Sequence, residues 1–297
     1  MRPVGERGVA RIHREVFVTA EIAEERVAAL ASHAQDIRFN VIDMVYKAQS
    51  GHISPGLGAA DIMATLFFDT MHLDPQHPDM PDRDRFVLSK GHSCPVLYAT
   101  LALRGYFPVE ELRTLRQMGS RLQGHPVAGY LPGIEATTGS LGMGASQAVG
   151  MALEARMMKK NYNIWALLGD GETNEGLIWE AAMGAAKYQL GNLVFIVDRN
   201  GLQTDGTCDS VMPMEPLDKK FEAFNWKVIK VDGHSIPDLL DAVKEAQDYK
   251  LGPVCIIAKT VKGKGVSFME NTTEWHAKAP SDEQYARAVA EVRGGIA

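Results

Sequence analysis

Apolar positions recur at helical spacing over residues 27–48 and again over 59–71, and the Gly- and Pro-rich stretch SGHISPGLG between them reads as a turn. Further along, the period changes. Residues 164–168 form a short apolar run ending in Gly-Asp-Gly, 176–190 have helical spacing, and 193–197 form a second run ending in DRNG. That order predicts strand, helix, strand. A second unit follows, with 226–231 as strand, 236–249 as helix and 254–258 as strand. Continuous apolar runs of this length suit strands covered on both faces, so the expected fold is α/β, a parallel sheet with helices on both faces. Ligands of such folds gather at the carboxyl ends of the strands, where GDG, DRNG and AKT fall. Beyond Lys262, the segment KGKGVSFMENTTEWHAKAP shows no period and predicts a long loop before a terminal helix near 282–292; loops of that length in compact domains usually carry function.

The chain has 297 residues, 45% of them apolar, enough for a full core. With no repeat and no Pro/Gly/Ser linker, it reads as one domain over 1–297, with an N-terminal extension over about 1–26 and a C-terminal loop and helix over about 263–297. A net charge of −6 argues against general affinity for nucleic acid, so any phosphate must be held by local devices. The sequence contains no apolar run of membrane-spanning length, and its start, MRPVGERGVARIHRE, lacks the apolar stretch of a secretion signal. No membrane association and a cytoplasmic location are therefore expected. Cys94, Cys208 and Cys255 are odd in number and widely spaced, which fits reduced thiols.

The sharpest chemical feature is Asp170, inside Gly169-Asp170-Gly171-Glu172, followed thirty positions later by Asn200 with strand, helix and strand between them. Mg²⁺ prefers hard oxygen ligands and completes its shell with phosphate and water. Asp170 offers a carboxylate, Asn200 an amide oxygen and Leu202 a backbone carbonyl. Gly171 permits close approach of the backbone to a phosphate, and the following helix would aim its first N–H groups at the anion. Asp-Gly is also a common turn dipeptide, so the weight rests on the Asn at the matching structural distance. Gly139 to Gly144, GSLGMG, opens a helix over 145–159; a dinucleotide-binding loop is the competing reading, but GxGxxG is missing and no strand directly precedes the glycines. Lys259 ends a strand and offers either a cation for the diphosphate or a solvated charge. Met151, Met157 and Met158 read as core and helix surface.

These pieces lie among others in a telling order: SGHISPGLG, RDRFVLSKGHS, GHP, TTGSLGMGASQAVGMA, GDGETNEG and KGKGVSFMENTTEWH. Over about residues 34–280 the chain resembles the amino-terminal domain of transketolase. That resemblance implies thiamine diphosphate as cofactor, held through Mg²⁺ or another divalent cation such as Ca²⁺ or Mn²⁺. It puts His92 and His276 on the diphosphate, with His276 also facing substrate, and His52 and His125 on the sugar's oxygens, where an imidazole can donate or accept near neutral pH. By the same resemblance the Gly139 carbonyl lies near the exocyclic amine, Ser140 and Leu141 line the cofactor rings, Gly171 and Glu172 flank the diphosphate, and Glu175 joins an acidic network at the interface between chains. His13, His33, His72, His77 and His234 have no such context and are expected outside the site.

The glutamate that activates the aminopyrimidine of thiamine diphosphate belongs, in transketolases, to the following domain, as do most groups that grip the sugar phosphate. The resemblance therefore implies a second subunit carrying the pyrimidine-binding and C-terminal domains, in a heterotetramer that moves a two-carbon ketol unit from a ketose phosphate to an aldose phosphate. Three other readings stay open: a ketol transferase for an unusual sugar, the α-type subunit of a 2-oxoacid dehydrogenase, and a non-catalytic regulatory paralogue. The SGH, KGH and GHP loops favour transketolase over the second, and the presence of Asp170, Asn200 and the histidines disfavours the third.

Overall fold

The computed structural model describes residues 7–294, with side chains described from Glu24 onward. Residues 1–6 of the extension expected over 1–26 and residues 295–297 lie outside the description, and over 7–23, His13 included, the backbone alone is described. The first helix, α1, runs Arg7–Ala48. Helix α2, Ser54–Thr65, starts earlier than the periodicity suggests, inside the stretch that reads as a turn. The cause is local. Pro55 occupies the first helical turn, where its missing N–H costs nothing. Gly58 lets this helix rest on the chain after the last strand: a Cβ there would stand 2.9 Å from the Val261 carbonyl oxygen.

Strand β1, Arg85–Leu88, and helix α3, Cys94–Arg104, leave no trace in the periodicity. Four residues are too few to show a repeat, and α3 is buried over almost its whole circumference, so it has no polar stripe. The other elements read from the sequence follow closely, as α4 Met143–Met157, β2 Ile164–Gly169, α5 Gly176–Lys187, β3 Leu193–Arg199, β4 Lys227–Asp232, α8 Ile236–Asp248, β5 Val254–Lys259 and α9 Asp282–Val292, while two short helices that the sequence reading lacks, α6 Cys208–Val211 and α7 Leu217–Ala223, stand between β3 and β4. The five strands are all parallel, in the order β1-β2-β3-β5-β4. Gly169 lies opposite Asp198, and Asp198 opposite Ala258, so the strand ends that carry the polar motifs are level.

Alternate residues of each strand feed two cores. Phe86, Trp165, Leu167, Val194, Ile196 and Ile256 pack under α1, α2, α3 and α8. Val87, Ala166, Leu168, Phe195, Val197 and Cys255 pack under α4, α5 and α7. Burying each large side chain contributes about 1.5–3 kcal/mol, so the sheet is held from both sides and its carboxyl edge is rigid.

The chain from 260 to 281 carries no helix or strand, as expected of the long loop, and both its ends are anchored. At the start, Gly263 N donates to Ser54 O at 3.0 Å. At the finish, α9 opens with a Ser281–Gln284 capping box and lies on α1. Tyr46 donates its hydroxyl to Asp282 at 2.8 Å, Tyr285 donates to Asp43 at 2.8 Å, and Arg293 pairs with Asp36 at 2.6 Å.

Candidate active site

The carboxyl ends of β1, β2, β3 and β5 open into a cavity of about 530 Å³. His52, His92, Gly139, Leu141, Asp170, Gly171, Glu172, Glu175, Asn200, Leu202 and His276 all line it, along with Lys90, Gln203 and Lys262, which no sequence pattern singles out. The rings of His52, His92 and His276 come from three separate loops and stand together: His52 is 5.1 Å from His92 and 5.1 Å from His276, and His92 is 5.4 Å from His276, centroid to centroid. His125 and Ser140 do not line the cavity. His125 flanks it, for a Cβ on Gly139 would meet its ring carbons at 3.2 Å. Ser140 is exposed on the same loop. Close approach explains one further glycine: a Cβ on Gly144 would fall 2.6 Å from the Ser89 Cα, so α4 can begin beside the end of β1 only with glycine there.

The three clustered imidazoles are neutral. Burial, reinforced by neighbouring cations, lowers His52 to about 4, His92 to about 2 and His276 to about 3. Burial also lowers His125, with Arg116 adding to the effect. Within the cavity the Nδ1 atoms of His52 and His276 and the Nε2 of Gln203 are buried with no hydrogen-bond partner in the protein. Unmatched buried polar atoms are costly, and three around one cavity mark where ligand groups belong. Cys94, just beyond His92 in the chain, is no nucleophile: burial pushes its thiol up to about 12.

Asp170 is almost wholly buried, and its two oxygens accept from Gly171 N at 2.8 Å and Gly201 N at 2.6 Å. Its carboxyl is nonetheless pushed above the usual range, first by burial and then by the nearby charge of Asp198. A buried carboxylate so disposed calls for a cation. Asn200 Oδ1 accepts from Leu202 N at 3.1 Å, which brings the amide oxygen and the Leu202 backbone into one turn. Among the described residues no cluster of three or more His, Cys, Asp or Glu side chains is arranged to bind a metal. Asp170, Asn200 and Leu202 do line the same cavity, and between them they carry a carboxylate, an amide and a backbone carbonyl.

Glu172 has a different occupation. It accepts from Ser89 Oγ at 2.5 Å, Gly142 N at 2.8 Å and Gly169 N at 2.9 Å, so one buried carboxylate ties together the ends of β1 and β2 and the Gly-rich loop. Burial raises its pKa against these donors. Glu175 is exposed on the cavity rim.

Of the two readings open for Lys259, the solvated charge holds. Lys259 is exposed and faces a separate hollow of about 750 Å³ beside the edge strand β4, because the last residue of β5 turns away from the cavity. That hollow is larger, but it is a shallow groove without unmatched buried polar atoms, and it holds none of the histidines. Lys90 and Lys262 point inward instead. Lys90 pairs with Asp198, which also accepts from Thr260, deep beneath the cavity floor. Lys262 donates to Gln203 O at 3.3 Å, and burial lowers its ammonium to about 8. Their place in KGHS and KGKG was visible, but nothing in the sequence distinguished them from solvated lysines.

The model of the transketolase thiamine diphosphate binding domain matches residues 30–293. The chain belongs to the transketolase family. It is 42% identical to an apulose-4-phosphate transketolase subunit from Phocaeicola vulgatus, covering 90% of this chain and 95% of that protein. A 6-deoxy-6-sulfo-D-fructose transketolase subunit of Clostridium sp. is also 42% identical, over 90% of this chain and 98% of its own length. The crystal structure of Campylobacter jejuni transketolase superposes with a TM-score of 0.85 at 32% identity, over 90% of this chain but 43% of that one. The transketolase fold expected from the sequence is thus borne out, parallel sheet and flanking helices included. In this thiamine diphosphate binding domain the cavity at the carboxyl ends of the strands combines unmatched buried polar atoms with buried lysines.

Proposed function

We propose that this chain is the cofactor-diphosphate half of a two-chain transketolase, which moves a two-carbon ketol unit from a ketose phosphate to an aldose phosphate. The observation that carries this is the meeting of His52, His92 and His276 with Asp170, Asn200 and Leu202 around one cavity. Two relatives named as transketolase subunits are matched almost end to end, which supports the split arrangement; the chain spans less than half of the Campylobacter jejuni transketolase. The whole chain is read as a single domain of this kind.

In this reading Asp170, the Asn200 amide oxygen and the Leu202 carbonyl hold Mg²⁺, and Lys90, Lys262, His92 and His276 face the diphosphate. Gly171 leaves room for it, and Glu172 fixes the loops around it. Gly139, Ser140 and Leu141 form the loop beside the cofactor rings. Bound thiamine diphosphate supplies the electron sink that lets a bond next to a carbonyl break. The neutral imidazoles of His52, His125 and His276 donate to or accept from the substrate's oxygens, His52 and His276 from the cavity wall and His125 from its exposed flank. Glu175 belongs to the rim that meets the second subunit, which brings the activating glutamate and most of the sugar-phosphate grip. A heterotetramer in the cytoplasm, acting on pentose-type sugar phosphates, completes the proposal; the three free, buried cysteines suit a reducing compartment. Among the described residues no helix is long and apolar enough to cross a membrane.

A second reading, a transketolase specialised for an unusual sugar, is supported by the names of the two split-type relatives. The test is reconstitution: this chain and a chain carrying the missing domains, mixed with Mg²⁺ and thiamine diphosphate, should release aldose phosphate from a ketose phosphate only when both are present, with an optimum near one to one. Robust turnover by this chain alone would overturn the split arrangement, and a panel of donors separates the two readings.

A further inference from the structure

His234, in the sequence VDGHS, lines no part of the cavity, yet both its ring nitrogens are engaged. Val261 N donates to Nε2 at 2.8 Å, so Nε2 carries no proton. The proton therefore sits on Nδ1 and is donated to Asp61 Oδ2 at 2.7 Å. Asp61 is also paired with Arg38, whose Nε donates to the Leu57 carbonyl at 3.2 Å. The side chains of His234, Asp61 and Arg38 are only 14%, 9% and 10% exposed. Burial alone would raise the Asp61 carboxyl, but the hydrogen bonds from His234 and Arg38 outweigh it and hold the group below its ordinary range.

Arg38 by itself already gives Asp61 a counter-charge, so charge balance does not require the histidine. What the histidine adds is an acceptor for one backbone N–H, that of Val261. The following peptide group, which joins Val261 to Lys262, is confined by α2, where Gly58 makes room for the Val261 carbonyl, and Lys264 N closes the turn onto the same carbonyl at 3.2 Å. The next residue is Lys262, almost fully buried and aimed into the cavity. A long side chain points where its backbone sends it, and displacements of about 1 Å at a binding group cost appreciable affinity or rate. We propose that His234 is a positioning residue for the cofactor: by accepting the Val261 N–H it aims Lys262 at the diphosphate. This rests on the reading of the cavity as the thiamine diphosphate site.

The test is a cycle of variants in the complex of this chain with its partner subunit, titrated calorimetrically with thiamine diphosphate and with thiamine at saturating Mg²⁺. His234→Asn keeps a donor for Asp61 but offers Val261 nothing, whereas His234→Gln places an amide oxygen at the reach of Nε2. The expected result is roughly tenfold weaker binding of thiamine diphosphate in His234→Asn, about the worth of one buried hydrogen bond. Thiamine binding should be unchanged, most of the loss should be recovered in His234→Gln, and His234→Asn should have no further effect in a Lys262→Met background. Equal losses for thiamine and thiamine diphosphate, or additive losses with Lys262→Met, would overturn the proposal while leaving the cavity assignment intact. Unaltered diphosphate affinity in Lys262→Met alone would remove the diphosphate reading and the proposal with it. Where His234→Asn does not fold, the same cycle with His234→Phe decides, since phenylalanine fills the space and accepts nothing.

Discussion

The Ser54 hydroxyl donates to the Trp275 carbonyl at 2.8 Å, and through that bond the loop bearing His52 is fastened to the loop bearing His276. Ser54 is fully buried, and its backbone N–H leans on the same carbonyl at 3.4 Å. That bond joins the two loops whose histidine rings approach to 5.1 Å.

Ser54→Ala should cost about 1 kcal/mol of stability, since the Trp275 carbonyl keeps only its longer bond. Turnover of the reconstituted enzyme should fall several-fold, with cofactor affinity changing less. A melting curve and steady-state kinetics check both; a lowered melting temperature with full activity would show that the two loops are placed independently.

Asp170→Ala should abolish measurable thiamine diphosphate binding, by about 100-fold or more, and the wild-type protein should lose binding when a chelator removes the divalent ion. Asp170→Asn is the control for folding, because its amide oxygen can still accept from one of Gly171 and Gly201. Calorimetry with and without chelator measures this, and undiminished binding in either case removes the metal assignment.

His52→Ala and His125→Ala should lower turnover about 10²–10³-fold, the size of a hydrogen bond made mainly in the transition state, while cofactor affinity stays close to wild type. His125 lies outside the wall of the cavity, so its effect should depend on the substrate's length. Loss of cofactor binding in either variant would move that histidine onto the cofactor.

The cofactor-free protein should lose stability on mild acidification. His52, His92 and His276 have folded pKa values of about 4, 2 and 3, against an ordinary value of 6.5. Below pH 6.5 the unfolded chain takes up protons that the folded rings refuse, so this contribution is complete above pH 6.5 and declines as the pH falls toward 4 and below. Asp61 and Glu291, whose pKa values are held low, act only below their ordinary 3.8 and 4.5. Urea midpoints between pH 7.5 and 5 should therefore fall, and fall less in His276→Asn. Asp170 and Glu172, whose carboxyls burial raises, act in the opposite sense, so the comparison of the two proteins isolates the ring: equal slopes in the wild type and His276→Asn would show that His276 is charged in the folded state.

Much of this site was legible because its polar groups stand at strand ends. Asp170 and Asn200 follow apolar runs that only a buried parallel strand explains, and the histidines sit in Gly- or Pro-punctuated loops. What escaped has physical reasons. The four residues of β1 are too short to show a period, and α3 has no exposed stripe. Lys259, the last residue of β5, could be read as a cation for the site or as a solvated charge, and it is the latter because a strand end alternates faces; the inward cation comes three residues later at Lys262, which nothing in the sequence marked. His234 read as part of a turn because its two partners, Asp61 and Val261, are distant in sequence and meet only after the sheet has formed.

The anchoring of the 260–281 span at both ends changes what cofactor binding has to accomplish. Closing and ordering a loop of that length carries an entropic cost, and here α9 settles it during folding through its grip on α1. In the proposed site His276 would therefore meet the cofactor already in place, and the free energy of association would go into affinity rather than into arranging the loop. By the same logic, removing α9 should act at a distance, weakening the cofactor site without touching any residue that lines it.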